Sequence, residues 1–239
     1  MDIQKQIIPD LPKVAFRHGA GKYEGVVAHS TDTPEATAQA ESNYFHRAWK
    51  SAQAFVHFFV DWDGVIQTAD TNYRAWGAGA VANQWAVHVE LCETKDNVKF
   101  QKAYSNYINL LAKLLKDKNL TIDNLYTHDE ITRKFAGTTH HDPVDYLASH
   151  SISIVKLKDD VNKILNPPKP AQPAKTRLVV VDVDSLNIRK IPSWDSSAIC
   201  GKVKKGDAFT IIKELPEFYQ IKSGFYITKS NKYVHTKEL

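Results

Sequence analysis

Residues 166–175 read NPPKPAQPAK, and the pattern of the chain changes across them. Four of the chain's 10 prolines fall in this run, and no side chain in it is larger than glutamine or lysine. Such a composition favours an extended, semi-rigid spacer over a packed element. Upstream, strand-type and helix-type patterns alternate; downstream, only short strands punctuated by turns recur. The expected organisation is an α/β domain over residues 1–166, a linker at 167–175 and an all-β domain over 176–239.

Working outward on the C-terminal side, LVVVDV, SLNIRK, ICGKV, AFTIIKEL, EFYQIK, GFYIT and KYVHT follow one another at the spacing of a small barrel. The length suits one SH3-like β-barrel. Trp194, Tyr219, Tyr226 and Tyr233 are aromatics that would either line a binding groove or fill the barrel core.

On the N-terminal side, YEGVVAHS reads as a buried strand ending at His29 and Ser30. Thr33 and Pro34 suit the N-cap and first position of a helix. Its apolar face would hold Ala40, Tyr44, Phe45, Ala48, Trp49 and Ala52. AFVHFFV is a strand by its aromatic and β-branched content, and Asp61-Trp62-Asp63-Gly64 turns it back into VIQTA as a hairpin. RAWGAGAVANQ is loop-like. WAVHVELCE alternates, with Val87, Val89 and Leu91 on one face and His88, Glu90 and Cys92 on the other. Residues 98–118 form an amphipathic helix, its buried stripe made of Phe100, Tyr104, Tyr107, Leu111, Leu114 and Leu115, with Asn119 as C-cap. SISIVKLKDDVNKIL reads as the last helix before the linker. The N-terminal domain is thus expected to be a mixed central β-sheet flanked by helices.

Residues 127–143, THDEITRKFAGTTHHDP, crowd His128, His140, His141 and Asp142 around Gly137 in a run with little apolar content that reads as a histidine-rich loop. Gly137-Thr138-Thr139 reads as a loop, and Pro143 is placed to open a further helix. A catalytic zinc takes three protein ligands from His, Asp, Glu or Cys and keeps one position open. His29 at its strand end, with His128 and Asp142 flanking the loop, could form such a set, although the separations are too long for spacing to specify it. A hydrogen-bonded core histidine is the competing account of His29. His141 could compete as a ligand, as could Cys92, which also suits an inert packing role.

Composition bounds the class. The hydrophobic fraction of 43% and charged fraction of 24% are ordinary for a globular chain of 239 residues. From Thr176 onward there are 11 Lys/Arg against 7 Asp/Glu, which accounts for the whole net charge of +4. The basic bias therefore belongs to the C-terminal part and fits either contact with an anionic wall or a solvated surface. Two cysteines exclude a disulfide scaffold. MDIQKQIIPDLPK lacks the apolar core of a signal peptide, and no run approaches a membrane span. Neither a nucleophile-elbow motif nor a cysteine-protease signature is present.

The segments VVAHS, AFVHFFVDWDGVIQ, AWGAG, WAVHVELCE, THDEI and HHDP occur in the order in which they stand in zinc-dependent N-acetylmuramoyl-L-alanine amidases of the amidase-2 type. This family shares its fold with peptidoglycan recognition proteins. The resemblance spans roughly residues 26–146. LNIRKIPS, GKVKKGDAFTII and YVHTKEL resemble bacterial SH3 wall-binding domains, so the two halves together look like a bacteriophage endolysin or a bacterial autolysin.

That resemblance implies a Zn²⁺ site at His29, His128 and Asp142, Glu90 as the catalytic glutamate, and His140 where many relatives carry an oxyanion-stabilising lysine. It implies hydrolysis of the amide between the lactyl group of N-acetylmuramic acid and L-alanine. A histidine titrates near neutrality where lysine does not, so activity should fall at alkaline pH and His140→Lys should flatten the fall. The implied partner is bacterial peptidoglycan, with no nucleic acid, no membrane insertion and a monomeric state. The protein would be made in the host cytoplasm without a signal peptide and act at the wall after release. Three positions depart from the family or leave a role open. Val56 replaces a catalytic tyrosine of some relatives, Gly77 replaces the histidine of AWHAG, and His57 matches a family histidine that also suits a buried structural role. The competing functions are a non-catalytic peptidoglycan recognition protein, which retention of the ligand positions and Glu90 argues against, and a wall endopeptidase.

Overall fold

The computed structural model describes residues 2–135, 137–167 and 176–239. The chain divides into two compact units, Met1–Pro168 and Lys169–Leu239. The expected linker, residues 167–175, lies outside the described residues apart from Pro167.

The first unit is built on a six-stranded mixed sheet. Its strands are β1 (Ile3–Lys5), β2 (Gly25–Ser30), β3 (Phe58–Val60), β4 (Val65–Gln67), β5 (Ala86–Leu91) and β6 (Leu125–Thr127). They are ordered β1-β4-β3-β5-β2-β6. Only the β3–β4 hairpin is antiparallel. At its turn, Asp61 Oδ1 accepts from the backbone N–H groups of Asp63 and Gly64. The central strands β2 and β5 are buried on both faces, as parallel strands covered by helices require.

The helices are α1 (Ala38–Ala52), α2 (Gly79–Ala82), α3 (Asn97–Lys116), α4 (His128–Phe135), α5 (Val144–Ser149) and α6 (Ile154–Leu165). The expected stripe of α3 is buried in full, and it packs with Leu157 and Val161 of α6 against Val87, Val89 and Leu91. Alternation then sends His88 and Glu90 to the opposite face, where Ile131 of α4 joins Val27 and Ala38 of α1 joins Val56, Phe59 and Cys92. One face of the sheet is therefore an apolar core, and the other carries the titratable groups.

Three local expectations are corrected. Helix α1 starts at Ala38, capped by Thr37, because Glu35 adopts a left-handed φ of 64° and its carboxylate accepts from the Lys95 N–H and the Thr94 hydroxyl instead of entering a helix. Ala40, Tyr44 and Ala52 of its expected apolar face are exposed. Helix α3 is capped at Asp117, and Asn119 lies beyond the cap at φ 53°.

The second unit is an antiparallel sheet of seven strands: β7 (Arg177–Val181), β8 (Leu186–Arg189), β9 (Ile199–Val203), β10 (Ala208–Glu214), β11 (Phe218–Ile221), β12 (Tyr226–Thr228) and β13 (Val234–Glu238). All seven expected strands are present, an arrangement consistent with an SH3-like domain. Val179, Val181, Tyr219, Ile221, Ile227 and Val234 form its core. Tyr219 is thus a core residue and not a groove aromatic. Trp194 is half exposed, its ring tilted against Phe218 with the Arg189 guanidinium over it.

Candidate metal centre and cleft

The carboxyl ends of β2, β5 and β6 meet at one edge of the sheet, where open α/β sheets generally place their sites. His29, the last residue but one of β2, is the register partner of Glu90 on β5, so both side chains leave the same face. Strand β6 runs straight into α4 at His128. There Thr127 and Glu130 cap the helix reciprocally: the Glu130 N–H donates to Thr127 Oγ1 (3.1 Å) and the Thr127 N–H donates to Glu130 Oε2 (2.9 Å). This T-x-x-E capping box makes His128 the first helical residue, where a loop had been expected. Lys158 holds the Glu130 carboxylate from α6.

The loop that follows is fastened back onto α4. The Asp129 N–H donates to the Asp142 carbonyl (3.1 Å), the Asp129 carboxylate takes His141 Nδ1 (2.6 Å), and the Thr132 hydroxyl donates to the His140 carbonyl (2.6 Å). These ties aim the Asp142 side chain inward and turn His141 away from it. Asp142 Oδ2 lies 3.1 Å from His29 Nδ1 and Asp142 Oδ1 lies 3.0 Å from His128 Nδ1. Ligand atoms of these three residues all fall within 4.8 Å of one another, the one such group found among the described residues.

Each imidazole is held by its other nitrogen. His29 Nε2 faces His88 Nδ1 at 3.2 Å, and His128 Nε2 faces the Thr138 hydroxyl at 2.9 Å. Both Nδ1 atoms are thereby directed at Asp142. Burial works against ionisation of Asp142, but the hydrogen bonds and charges of His128 and His29 overcome it and hold the carboxyl well below the usual carboxylate range. Burial lowers His29, which favours the neutral ring a metal needs. Two imidazoles, each oriented through its second nitrogen, and an ionised carboxylate fit a divalent cation of the zinc type.

Glu90 stands beside this group. Burial, followed by the negative charges of Asp142, Glu41 and Glu93, pushes its carboxyl well above the usual range. Its Oε2 is buried with no hydrogen-bond partner among the described residues. An orphaned carboxylate oxygen in a polar cleft marks a place for a reacting proton. His140 is exposed, its ring stacked on His128 at a centroid distance of 5.1 Å. His29, Glu90, His128, His140 and Asp142 all line one open cleft of about 1020 Å³.

The remaining candidates sit elsewhere. His57 is fully buried, with Nε2 donating to the Tyr73 carbonyl (3.0 Å) and Nδ1 accepting from the His88 N–H (3.0 Å). Cys92 packs in the apolar cluster behind α1. Sequence reasoning had placed His88 only on the face of Glu90 and given it no contact; the alternation was the available signal, and the approach to His29 required the fold.

Residues 19–145 match the N-acetylmuramoyl-L-alanine amidase family. The bifunctional autolysin of Staphylococcus aureus is 36% identical over 169 residues, covering 67% of this chain and 13% of its own length. The chain thus spans only a small part of the curated relatives it matches. The structure is similar to that of the Staphylococcus aureus hydrolase AmiA in complex with its ligand, with a TM-score of 0.66 and 35% identity over 69% of this chain and 83% of that one. PlyL, at 22% identity, a TM-score of 0.55 and coverage of 69% and 99%, shares the fold.

Proposed function

Because the chain belongs to the N-acetylmuramoyl-L-alanine amidase family, we propose that its cleft hydrolyses the amide between the lactyl group of N-acetylmuramic acid and L-alanine in bacterial peptidoglycan. The observation that carries this is the convergence of His29, His128 and Asp142 beside a buried carboxyl, Glu90, with an unpartnered oxygen. His29, His128 and Asp142 would hold Zn²⁺. Bound there, the ion would polarise the scissile carbonyl and acidify water.

The protein's own groups do the rest. Glu90 Oε2 accepts the proton of the attacking water and passes it to the departing L-alanine nitrogen. A carboxyl raised by burial holds that proton between the two transfers better than an exposed one. His140, at the cleft wall, presents a ring N–H to the oxyanion developing on the carbonyl oxygen. The His88 and Thr138 contacts keep both ligand rings in place, and the ties from α4 keep Asp142 between them. The SH3-like unit would raise the local concentration of the enzyme on the polymer, and the protein would act as a monomer.

The setting we propose is a phage endolysin reaching the wall after release from the host cytoplasm. The similarity to the Staphylococcus aureus bifunctional autolysin favours a bacterial autolysin as the second setting. The activity is tested on purified peptidoglycan by identifying the new amino termini. L-Alanine termini that appear with zinc and cease with a chelator support the amidase. Binding without release would mean a recognition protein, and other termini would mean an endopeptidase.

A further inference from the structure

Resting on the metal site proposed above, we infer that His88 is a positioning residue that accepts a hydrogen bond from His29 Nε2–H and so fixes His29 with Nδ1 free for the metal. The two nitrogens are 3.2 Å apart, and both rings are buried, at 0% exposure for His88 and 1% for His29. A histidine that ligates through one nitrogen is normally oriented by an acceptor on the other. Acceptors in that role are commonly carboxylates or carbonyls; here a second imidazole provides it.

The surroundings of His88 restrict its ring to this use. Its backbone N–H donates to His57 Nδ1, and the His57 ring stacks on it at 5.9 Å and 13°. Gly77 also lies close to the ring. A Cβ at position 77 would stand 2.9 Å from His88 Cγ, 3.1 Å from His88 Nδ1 and 3.1 Å from Val56 Cγ1. The ring therefore occupies space that only a glycine leaves open, and the atom a side chain at 77 would crowd is the one that faces His29. His88 Nε2 has no partner among the described residues. Nδ1 is then the one ring nitrogen through which His88 contacts another polar group among the described residues, and that group is the proposed metal ligand His29.

The test is zinc affinity, measured by competition with a chromophoric chelator on the full chain, together with nitrogen-15 spectra of the zinc-loaded protein labelled at histidine. His88→Leu should weaken zinc binding roughly 10–100-fold. His88→Gln, whose amide oxygen can accept the same bond, should stay within a few-fold of wild type. Gly77→Ala should also weaken binding, although it keeps the imidazole. In the wild-type spectra, His29 should carry its proton on Nε2 and His88 should be bare at Nδ1; that readout needs no variant, and a packing role would not produce it. Equal zinc affinity of wild type and His88→Leu, or a proton on His88 Nδ1 in the loaded protein, would overturn the role of His88 and leave the metal site standing. A wild-type protein that binds no zinc would overturn both.

Discussion

His29 and Glu90 are register partners on adjacent parallel strands, at the edge where β2 and β5 end. One contributes to the metal-type cluster, and the other is a carboxyl with an unpartnered buried oxygen. The sheet thus fixes the spacing between these two side chains without relying on any loop.

Glu90→Gln keeps the volume of the side chain and removes its basicity. The expected result is a fall in kcat of roughly 10²- to 10⁴-fold, with zinc content unchanged. Steady-state release of L-alanine termini, paired with metal analysis of the same preparation, checks both halves. Zinc loss in this variant would place Glu90 among the ligands instead.

His140→Ala should lower kcat by roughly 10²- to 10³-fold if its N–H meets the oxyanion, while zinc stays bound. His140→Lys, whose ammonium can donate to the same oxyanion, should restore turnover. A lysine variant no more active than His140→Ala would remove His140 from the mechanism.

His57 gives the fold a dependence on acid. Burial pushes its pKa down to about 4 from an ordinary 6.5, and its two nitrogens are already committed as one donor and one acceptor. As pH falls below 6.5 the unfolded chain takes up a proton that the folded chain refuses until about 4. Stability is therefore full above the unfolded value and lost across that window, by up to roughly 3 kcal/mol from this residue. His29 and His88, buried for the same reason, act in the same direction. The informative quantity is the difference between wild type and His57→Gln in denaturant unfolding of the metal-free protein, which should shrink between pH 7 and pH 4. A constant difference would contradict the assignment.

Gly79→Ala tests how the loop is seated. Gly79 has φ +77°, and a Cβ there would lie 2.9 Å from the Gly137 carbonyl oxygen, backbone of the loop that carries His140 and Asp142. The expected cost is about 1–3 kcal/mol of stability, with weaker zinc binding as Asp142 is displaced. Thermal unfolding and chelator competition measure the two effects; a loss of stability alone would mean that α2 moves and the loop does not.

The sequence carried the sheet well where burial imposes a period. WAVHVELCE alternates because one of its faces packs on the apolar core and the other carries the titratable groups, and the seven C-terminal strands stand out because each is bounded by turn residues. It carried the site less directly. His29, His128 and Asp142 come together only through the order of strands in the sheet, so their separations hold no local signal, and the resemblance supplied the set. Residues 127–135 were misread because their polar crowding outweighed the T-x-x-E capping box that starts α4. The His29–His88 contact was invisible because it depends on a missing side chain at Gly77, and an absence has no pattern along a sequence.

The central claim is that His29, His128 and Asp142 together hold a catalytic zinc. Elemental analysis of the purified full chain beside His128→Ala, after equal zinc loading and removal of free metal, addresses it most directly. Near-stoichiometric zinc in the wild type and its loss from the folded variant is the predicted result. Equal zinc in both proteins would contradict it.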